Sequence, residues 1–391
     1  MAFFIFIHRQ IEKETMKNLI LFALFVWGVT ACTSVPEQKV KVYGWEGEGA
    51  NTTEQTLHDM FAKLKEKGLS GIMYNAGNNI EKHRRAAKAA KEAGLEYHAW
   101  IPTMAQGGSG LDSSFYVVNR NGESAFNKPA YVAHYKFLCP NHEETYTFLH
   151  NIYSQVAAIP EVDAVHLDYI RFPDVILARG LWDKYGLVMD EEYAPADYCY
   201  CDKCVADFKS KTGIDIKSVD DPSKCPEWVQ FRCDLITNFV NRLAADIHAQ
   251  GKKIDAAVFP GPNSQARKLV RQEWNKWNLD AFYPMNYNDF YLEGPDWVGE
   301  VVNEEVTSVN GEKPVFSGLF ICGQPEKKAQ IKDPEGHGLL PSEIEEAVRG
   351  SMENGAAGVC LFTPSHMTDA HWEALDKAIR RSYNKKEAVG E

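Results

Sequence analysis

The chain has 391 residues, 45% of them hydrophobic and 25% charged, which is the composition of a globular protein with a buried core. The formal net charge of −12 argues against binding to nucleic acid or to an anionic membrane surface by bulk electrostatics. The sequence contains no short repeat or low-complexity tract, which argues against fibrous and disordered classes.

The N-terminal segment has the features of an export signal. From Met16 the sequence reads MKNLILFALFVWGVTAC, in which a lysine precedes an apolar run that is short for a membrane span. The ending VTAC resembles a bacterial lipobox, so we expect residues 1–32 to be a lipoprotein signal peptide with an over-extended start. Cys32 would carry the lipid (palmitate) anchor, and residues 33–38 would form a linker. The protein would then be an exported bacterial membrane lipoprotein, periplasmic or on the cell surface; a plain signal peptide or an uncleaved anchor is the alternative.

Apolar runs alternate with helical patterns over residues 39–385. The predicted strands, in chain order, are VKVYGWEG, LSGIMYNA, LEYHAWIPTM, VDAVHLDYIRFP, KIDAAVFPGP, LDAFYPMNYN, KPVFSGLFICG and AAGVCLFTP. A helix is predicted after each strand; the one after the fifth strand is expected near 264–277. Strict alternation of this kind predicts a parallel sheet.

Eight such units predict an α/β protein of the (β/α)8 TIM-barrel class, with a cysteine-rich insertion after the fourth strand at about 174–225. The alternative is an open doubly wound sheet. Its nucleotide-binding versions lose support, because no GxGxxG follows the first strand and no GxxxxGK[ST] occurs in the chain.

The fourth predicted strand, VDAVHLDYIRFP, carries polar residues on one face. Ala164, His166 and Asp168 share that face at a spacing of two, whereas Val165 and Leu167 alternate with them. In a barrel the polar face would point inward, and Asp168 would lie near the C-terminal end of the strand, where barrel active sites are built. A carboxylate there is costly unless it is paired or used, so we predict a functional role for Asp168.

The ends of other predicted strands add aromatic, amide, carboxylate and imidazole groups. Aromatic faces stack on pyranose rings, and amides and carboxylates bind sugar hydroxyls, so this rim predicts an oligosaccharide or polysaccharide site. For Trp100, Tyr74 and Tyr287 a role in core packing is the alternative, and a lone histidine is often structural. The candidate substrate-binding residues are Glu46, Tyr74, Asn75, His98, Trp100, His166, Arg171, Asn286, Tyr287 and His366.

Three segments together resemble the glycosyl-hydrolase-like family ten of bacterial exported proteins. They are FYVVNRNGES (115–124), FLCPNHEETYTFL (137–149) and VDAVHLDYIRFP (162–173), and the resemblance covers about residues 39–375. It implies a glycoside-hydrolase-like barrel, with some relatives acting on peptidoglycan. Many relatives have Asp-Asp-Tyr where this chain has a single Asp168 before Tyr169.

Glycoside hydrolysis commonly needs two carboxyl groups. Asp168 is the first candidate, as nucleophile or general base, and Asp289 after the sixth strand is the best placed partner by analogy with barrels that pair strands four and six. Glu46 and Asp174 are weaker candidates. Arg171 would bind a substrate carboxylate, keep Asp168 ionised or tie down its loop. Because the second carboxyl is uncertain, a non-catalytic glycan-binding lipoprotein with a degenerate barrel is the alternative function.

The insertion holds a dense group of cysteines. CYCDKC (199–204) is followed by Cys225 and Cys233, whereas Cys139, Cys322 and Cys360 are scattered and expected to be buried apolar residues. We expect Cys199, Cys201, Cys204 and Cys225 to bind a structural Zn²⁺, with disulfides as a close alternative in an exported protein. Four sulfur ligands leave no open position, so no cofactor is expected to take part in catalysis.

Overall fold

The computed structural model describes residues 40–325, 328 and 338–389. The predicted signal peptide, Cys32 and the linker lie outside the described residues, so membrane anchoring stays a prediction. Among the described helices, none combines the length and apolar character needed to cross a bilayer.

Eight parallel strands form one ring, which confirms the predicted barrel. They follow the order β6-β5-β4-β3-β2-β1-β8-β7, and parallel bridges between Phe282 and Val315 and between Met285 and Gly318 bring β6 next to β7. The strands are β1 (Lys41–Gly47), β2 (Gly71–Asn75), β3 (Glu96–Pro102), β4 (Ala164–Asp168), β5 (Lys253–Val258), β6 (Ala281–Pro284), β7 (Phe316–Phe320) and β8 (Gly358–Phe362).

Helices follow the strands and cover the outside of the ring. Thr53 and Asn79 cap the first two through side-chain oxygens that accept backbone N–H groups, the residue types that favour such positions. The described helices are α1 (Glu54–Glu66), α2 (Ile80–Glu92), α3 (Glu143–Ala157), α4 (Trp182–Tyr185), α5 (Asp202–Thr212), α6 (Pro226–Ala249), α7 (Gln265–Val270), α8 (Asn288–Tyr291), α9 (Trp297–Ser308), α10 (Pro341–Glu353) and α11 (Asp369–Val389).

Helix α7 is shorter than the pattern predicts. It ends at Arg271, whose φ of 62° lies in the left-handed region. The next residue, Gln272, accepts a hydrogen bond from Phe259 N (2.9 Å) and donates one to Ile170 O (3.0 Å). The chain therefore leaves the helix to tie together the segments that follow β4 and β5.

Alternation along β4 places its polar residues inside the ring. His166 contacts Asp255 and Trp45 across the barrel interior, whereas Val165 and Leu167 belong to the large core between the strands and the helices. Asp168, at the last position of β4, lies at the C-terminal rim. The predicted orientation of this strand is confirmed.

Two long connections build up one side of that rim. The segment between β3 and α3 and the insertion between β4 and α6 pair with each other at the isolated bridge between Asn119 and Tyr198. Within the first segment, Tyr116 pairs with Leu138 and Ala105 with Phe137. The insertion is therefore packed against the preceding loop.

Candidate active site

A cavity of about 1000 Å³ lies at the C-terminal ends of the strands and contains Asp168. Its lining is mainly aromatic and apolar, with a few polar groups. A second cavity, of about 1060 Å³, lies over the cysteine-rich insertion and is lined mostly by polar loop residues. We assign the candidate site to the first cavity because ligand sites in this fold lie where its strands end.

The Asp168 carboxylate is held by two N–H donors. Trp100 Nε1 donates to Oδ2 (2.9 Å), and the backbone N of Tyr169 donates to Oδ1 (2.6 Å). Burial raises the pKa of Asp168, and this effect outweighs the lowering by the two donors, by His166 and by the charge of Arg171. Asp168 is thus a positioned carboxyl group whose pKa lies above the ordinary value of an aspartate.

The backbone turns sharply directly after Asp168. Tyr169 has a φ of 48°, a left-handed conformation that costs a residue with a side chain on the order of 1–3 kcal/mol. Hydrogen bonds from Thr103 N to Asp168 O (2.6 Å) and from Met104 N to Tyr169 O (3.3 Å) hold this turn against the end of β3. Strained backbone of this kind clusters at functional sites, which supports the choice of cavity.

Arg171 ties down the loop after β4. Its guanidinium donates to Asp174 Oδ2 (2.9 Å) and to Phe172 O (2.9 Å), and both ionic side chains are almost fully buried. The guanidinium carbon lies within 5.5 Å of the ring centroids of four aromatic side chains, those of Tyr135, Phe137, Tyr169 and Phe259. Of the three roles expected for Arg171, the structure supports loop anchoring, with a minor contribution to the ionisation of Asp168.

A chain of buried polar groups runs below the cavity floor. Trp45 Nε1 donates to His166 Nε2 (2.9 Å), so the imidazole carries its proton on Nδ1, which donates to Asp255 Oδ1 (2.6 Å). His98 Nδ1 lies 2.7 Å from the other oxygen of Asp255, and its Nε2 lies 3.7 Å from Glu96 Oε2. The side chains of His98 and His166 are therefore hydrogen-bonded inside the barrel. Among the described residues, Trp45 connects this chain of polar groups to the cavity.

Aromatic rings make up much of the cavity wall. The ring of Tyr287 stacks on that of Phe362 (centroids 5.8 Å apart, 24° between planes), and Phe320 stacks on Phe362 in turn (5.7 Å, 23°). Trp45 and Trp100 both approach the edge of Phe362. This surface offers flat apolar faces next to Asp168, as a sugar ring requires.

The other predicted substrate-binding residues divide into two groups. Asn75 and His366 line the cavity. Tyr74 is buried between strands and helices with its hydroxyl donating to Glu48, which is the core-packing alternative. Glu46 accepts from Ser365 N (2.6 Å), and Asn286 donates to Glu305 and Ser317 (3.1 Å each); none of these three side chains lines the cavity in the described part of the chain.

The proposed partner carboxylate, Asp289, is engaged beside the cavity rather than in it. Its Oδ2 accepts from Gly338 N (2.7 Å) and lies 3.6 Å from Lys328 Nζ. Among the described lining residues, the carboxyl groups are those of Asp168 and Asp174, and Asp174 is paired with Arg171. The pairing of Asp289 with Asp168 stays a prediction.

The segment YVAHYK (131–136) supplies lining residues that the sequence analysis missed. Tyr131, His134, Tyr135 and Lys136 face the cavity from the loop between β3 and α3, and Tyr131 packs against Leu177 and Tyr185 of the insertion. The only sequence signal for them is the density of aromatic residues in a segment that follows no helix or strand pattern.

The cysteine cluster has a different membership from the predicted one. Cys139, Cys199, Cys201 and Cys204 are buried with their sulfurs within 4.8 Å of one another. Cys225 is not a member, because it lies at the start of α6 with its sulfur 3.5 Å from Glu227 Oε2. Cys139, expected to be a scattered buried residue, is buried but belongs to this group, and metal binding by any of these cysteines stays a prediction.

Comparison with known proteins identifies a shared fold but assigns the chain to no family. No profile of a known protein family matches the chain, and no curated protein matches it. Assignment to the glycosyl-hydrolase-like family ten therefore stays a prediction.

Solved structures that match over most of the chain include several glycoside hydrolases. The catalytic domain of a β-amylase from Paenibacillus polymyxa has a TM-score of 0.57 at 12% identity and covers 88% of this chain and 99% of its own. An endo-β-1,4-mannanase from Thermotoga petrophila has a TM-score of 0.52 at 8% identity (89% and 78%), and a class V chitinase from Pseudomonas fluorescens one of 0.50 at 11% (87% and 99%). At these identities the likeness shows the barrel fold alone.

Proposed function

We propose that the protein is a glycoside hydrolase that cleaves glycosidic bonds of a polysaccharide or of a peptidoglycan fragment, with Asp168 as a reacting carboxyl group. The observation that carries the proposal is the position of Asp168 itself. It lies at the C-terminal rim of a glycosidase-like barrel, in the cavity and between two N–H donors, and none of the described cations is paired to it.

The walls of the cavity support a saccharide substrate. The partly exposed rings of Trp100 and Phe362 offer aromatic surface for the apolar faces of sugar rings, and Asn75 and His366 offer polar groups for hydroxyls. A volume of about 1000 Å³ suits an oligosaccharide segment. The solved glycoside hydrolases that share this fold act on polymers of sugars, as their names state, which supports the same class of substrate here.

From the sequence, Asp168 is expected to act as nucleophile or general base; here we propose that it acts instead as the proton donor. A general acid must hold its proton until the leaving oxygen takes it, and burial raises the pKa of this carboxyl. We propose that Asp168 protonates the glycosidic oxygen while a second group attacks or activates water. Asp289 is the proposed second group, and it would have to exchange its bonds to Gly338 and Lys328 for that role.

Replacement of Asp168 by asparagine tests the proposal. The full chain would be assayed for release of reducing ends from a panel of polysaccharides and peptidoglycan. We expect Asp168→Asn to lower kcat by at least about 10³-fold with an unchanged circular dichroism spectrum, because the amide holds no transferable proton. Asp369→Asn, at an exposed position far along the chain on α11, is the control and should keep full activity.

Asp289→Asn separates two versions of the mechanism. A loss comparable to that of Asp168→Asn would support the pair, whereas full activity would remove Asp289 from the mechanism and leave Asp168 in place. Undiminished activity of Asp168→Asn would overturn the proposed function.

One observation favours the binding alternative. In the described lining, Asp168 is the one carboxyl group that is not neutralised by a neighbouring cation. A glycan-binding protein with this barrel would bind an oligosaccharide in calorimetry and release no reducing ends from it. Asp168→Asn would then change the affinity only.

A further inference from the structure

Four buried thiols come together where the β3–α3 loop meets the insertion. Cys139 comes from the loop, and Cys199, Cys201 and Cys204 come from the insertion and the first turn of α5. Their sulfurs all lie within 4.8 Å of one another, with Cys139 Sγ 3.5 Å from Cys204 Sγ and 3.8 Å from Cys201 Sγ.

These distances match a tetrahedral metal site and not a disulfide. A zinc ion with thiolates at about 2.3 Å places each pair of sulfurs about 3.8 Å apart, as the edges of a tetrahedron. A disulfide requires about 2.05 Å and joins sulfurs two at a time, whereas here each sulfur has three others within reach. Four sulfur atoms that all lie within 4.8 Å of one another can bind one metal ion together.

We propose that Cys139, Cys199, Cys201 and Cys204 form a structural Zn²⁺ site that fastens the β3–α3 loop to the insertion. The inference does not depend on the proposed function. With four sulfur ligands the ion has no open position, so its role is to hold the two segments together.

The surroundings suit the charge of such a site. Zinc with four thiolates carries a net charge of −2, and Cys201 is the N-terminal cap of α5, where the helix dipole favours negative charge. His142 Nε2 lies 3.9 Å from Cys201 Sγ, in the position of an outer-shell donor. Backbone hydrogen bonds from Cys139 N to Phe115 O (2.8 Å) and from Tyr200 N to Val118 O (2.7 Å) hold the two segments against a shared stretch of loop.

The site would support the cavity wall without contacting it. The β3–α3 loop supplies Tyr131, His134 and Tyr135 to the cavity, and the insertion supplies Leu177 and Tyr185. Because both segments also contain the ligands, one ion would set the spacing between these two parts of the wall.

Metal content and cobalt spectroscopy of the full chain test the site. The chain would be purified without a metal-affinity step and in the presence of Zn²⁺. Elemental mass spectrometry should then find one zinc ion per chain. Replacement by Co²⁺ should give the ligand-field bands of tetrahedral cobalt and a sulfur-to-cobalt charge-transfer band with the intensity of four thiolates. This measurement needs no variant, so it stands even if the variants fold poorly.

Matched cysteine variants test which thiols bind. We expect Cys139→Ser and Cys204→Ser to lose the zinc and the charge-transfer band, while Cys225→Ser and Cys233→Ser keep both. The proposal is overturned if the wild-type chain binds neither ion, if Cys225→Ser loses as much metal as Cys139→Ser, or if peptide mapping finds a disulfide between any two of the four cysteines.

Discussion

Trp100 donates a side-chain hydrogen bond to the Asp168 carboxylate. Its indole N–H donates to Asp168 Oδ2 at 2.9 Å and favours the charged form, against the burial that favours the neutral form. Replacement by phenylalanine would keep the apolar wall and remove this donor. A hydrogen bond to a charged group contributes about 1.5–3 kcal/mol, so we expect its loss to raise the pKa of Asp168 further.

The pH profile of kcat/KM reports this change. In Trp100→Phe the limb that Asp168 controls should move to higher pH: the alkaline limb if Asp168 donates a proton, the acidic limb if it acts as nucleophile or base. Trp45→Phe is the matched control, because it removes an indole donor in the same cavity that bonds His166 and not Asp168. An unshifted limb in Trp100→Phe would mean that another group governs the profile.

At the scale of the elements, β7 passes so close to β6 and to Trp45 that it needs a glycine. A Cβ added at Gly318 would lie 2.5 Å from Pro284 O and 3.0 Å from the Trp45 ring. Pro284 O belongs to the backbone of β6, so the added methyl group could fit only if β6 and β7 moved apart.

We therefore expect Gly318→Ala to destabilise the fold by about 1–3 kcal/mol, the usual cost of overpacking. Chemical denaturation of the full chain measures it. Gly108→Ala is the control, since a Cβ there meets no atom within 4 Å and the position has no left-handed backbone; it should be close to neutral. Equal stability of the two variants would show that β6 and β7 can accommodate the added methyl group without cost.

The strands and their inward faces could be predicted because they follow local rules. Alternation at a spacing of two identifies the inward face of β4, and the end of a barrel strand identifies the rim, so His166 and Asp168 were assigned correctly to the interior and the rim. The irregular segments obey no such periodicity. Tyr135 and Cys139 occupy their positions through long-range pairing of two loops, and Cys225 lies apart from the other cysteines at the N-terminal cap of α6. Sequence spacing alone does not contain that information.

At the scale of the whole molecule, one buried charge network links four strands of the barrel. Asp255 on β5 bonds His166 on β4 and His98 on β3, and Glu96 carries the contact to Lys41 and Tyr43 on β1 at the opposite end of the barrel. The floor of the cavity, Trp45, rests on this network through His166. The protonation of the network should therefore be visible in the stability of the entire fold.

The pH dependence of unfolding tests this coupling. Burial alone would lower the pKa of His98, but Asp255 and Glu96 raise it to about 9, and although burial would raise the pKa of Asp255, the two histidines lower it to about 2. The contribution of His98 is fully present below its unfolded pKa of about 6.5 and is lost as pH rises towards 9; that of Asp255 is present above about 3.8 and is lost as pH falls towards 2. The raised pKa of His98 corresponds to on the order of 3 kcal/mol, so His98 should contribute roughly that amount to the fall of the unfolding free energy between pH 6 and pH 10. His98→Gln removes this group, so its unfolding free energy should fall less than that of the wild type by about the same amount; burial raises the pKa of Glu305 to about 8, and the fall that Glu305 causes should remain in both proteins. If the plots of unfolding free energy against pH ran parallel for the variant and the wild type, His98 would not be one of the groups that cause the fall.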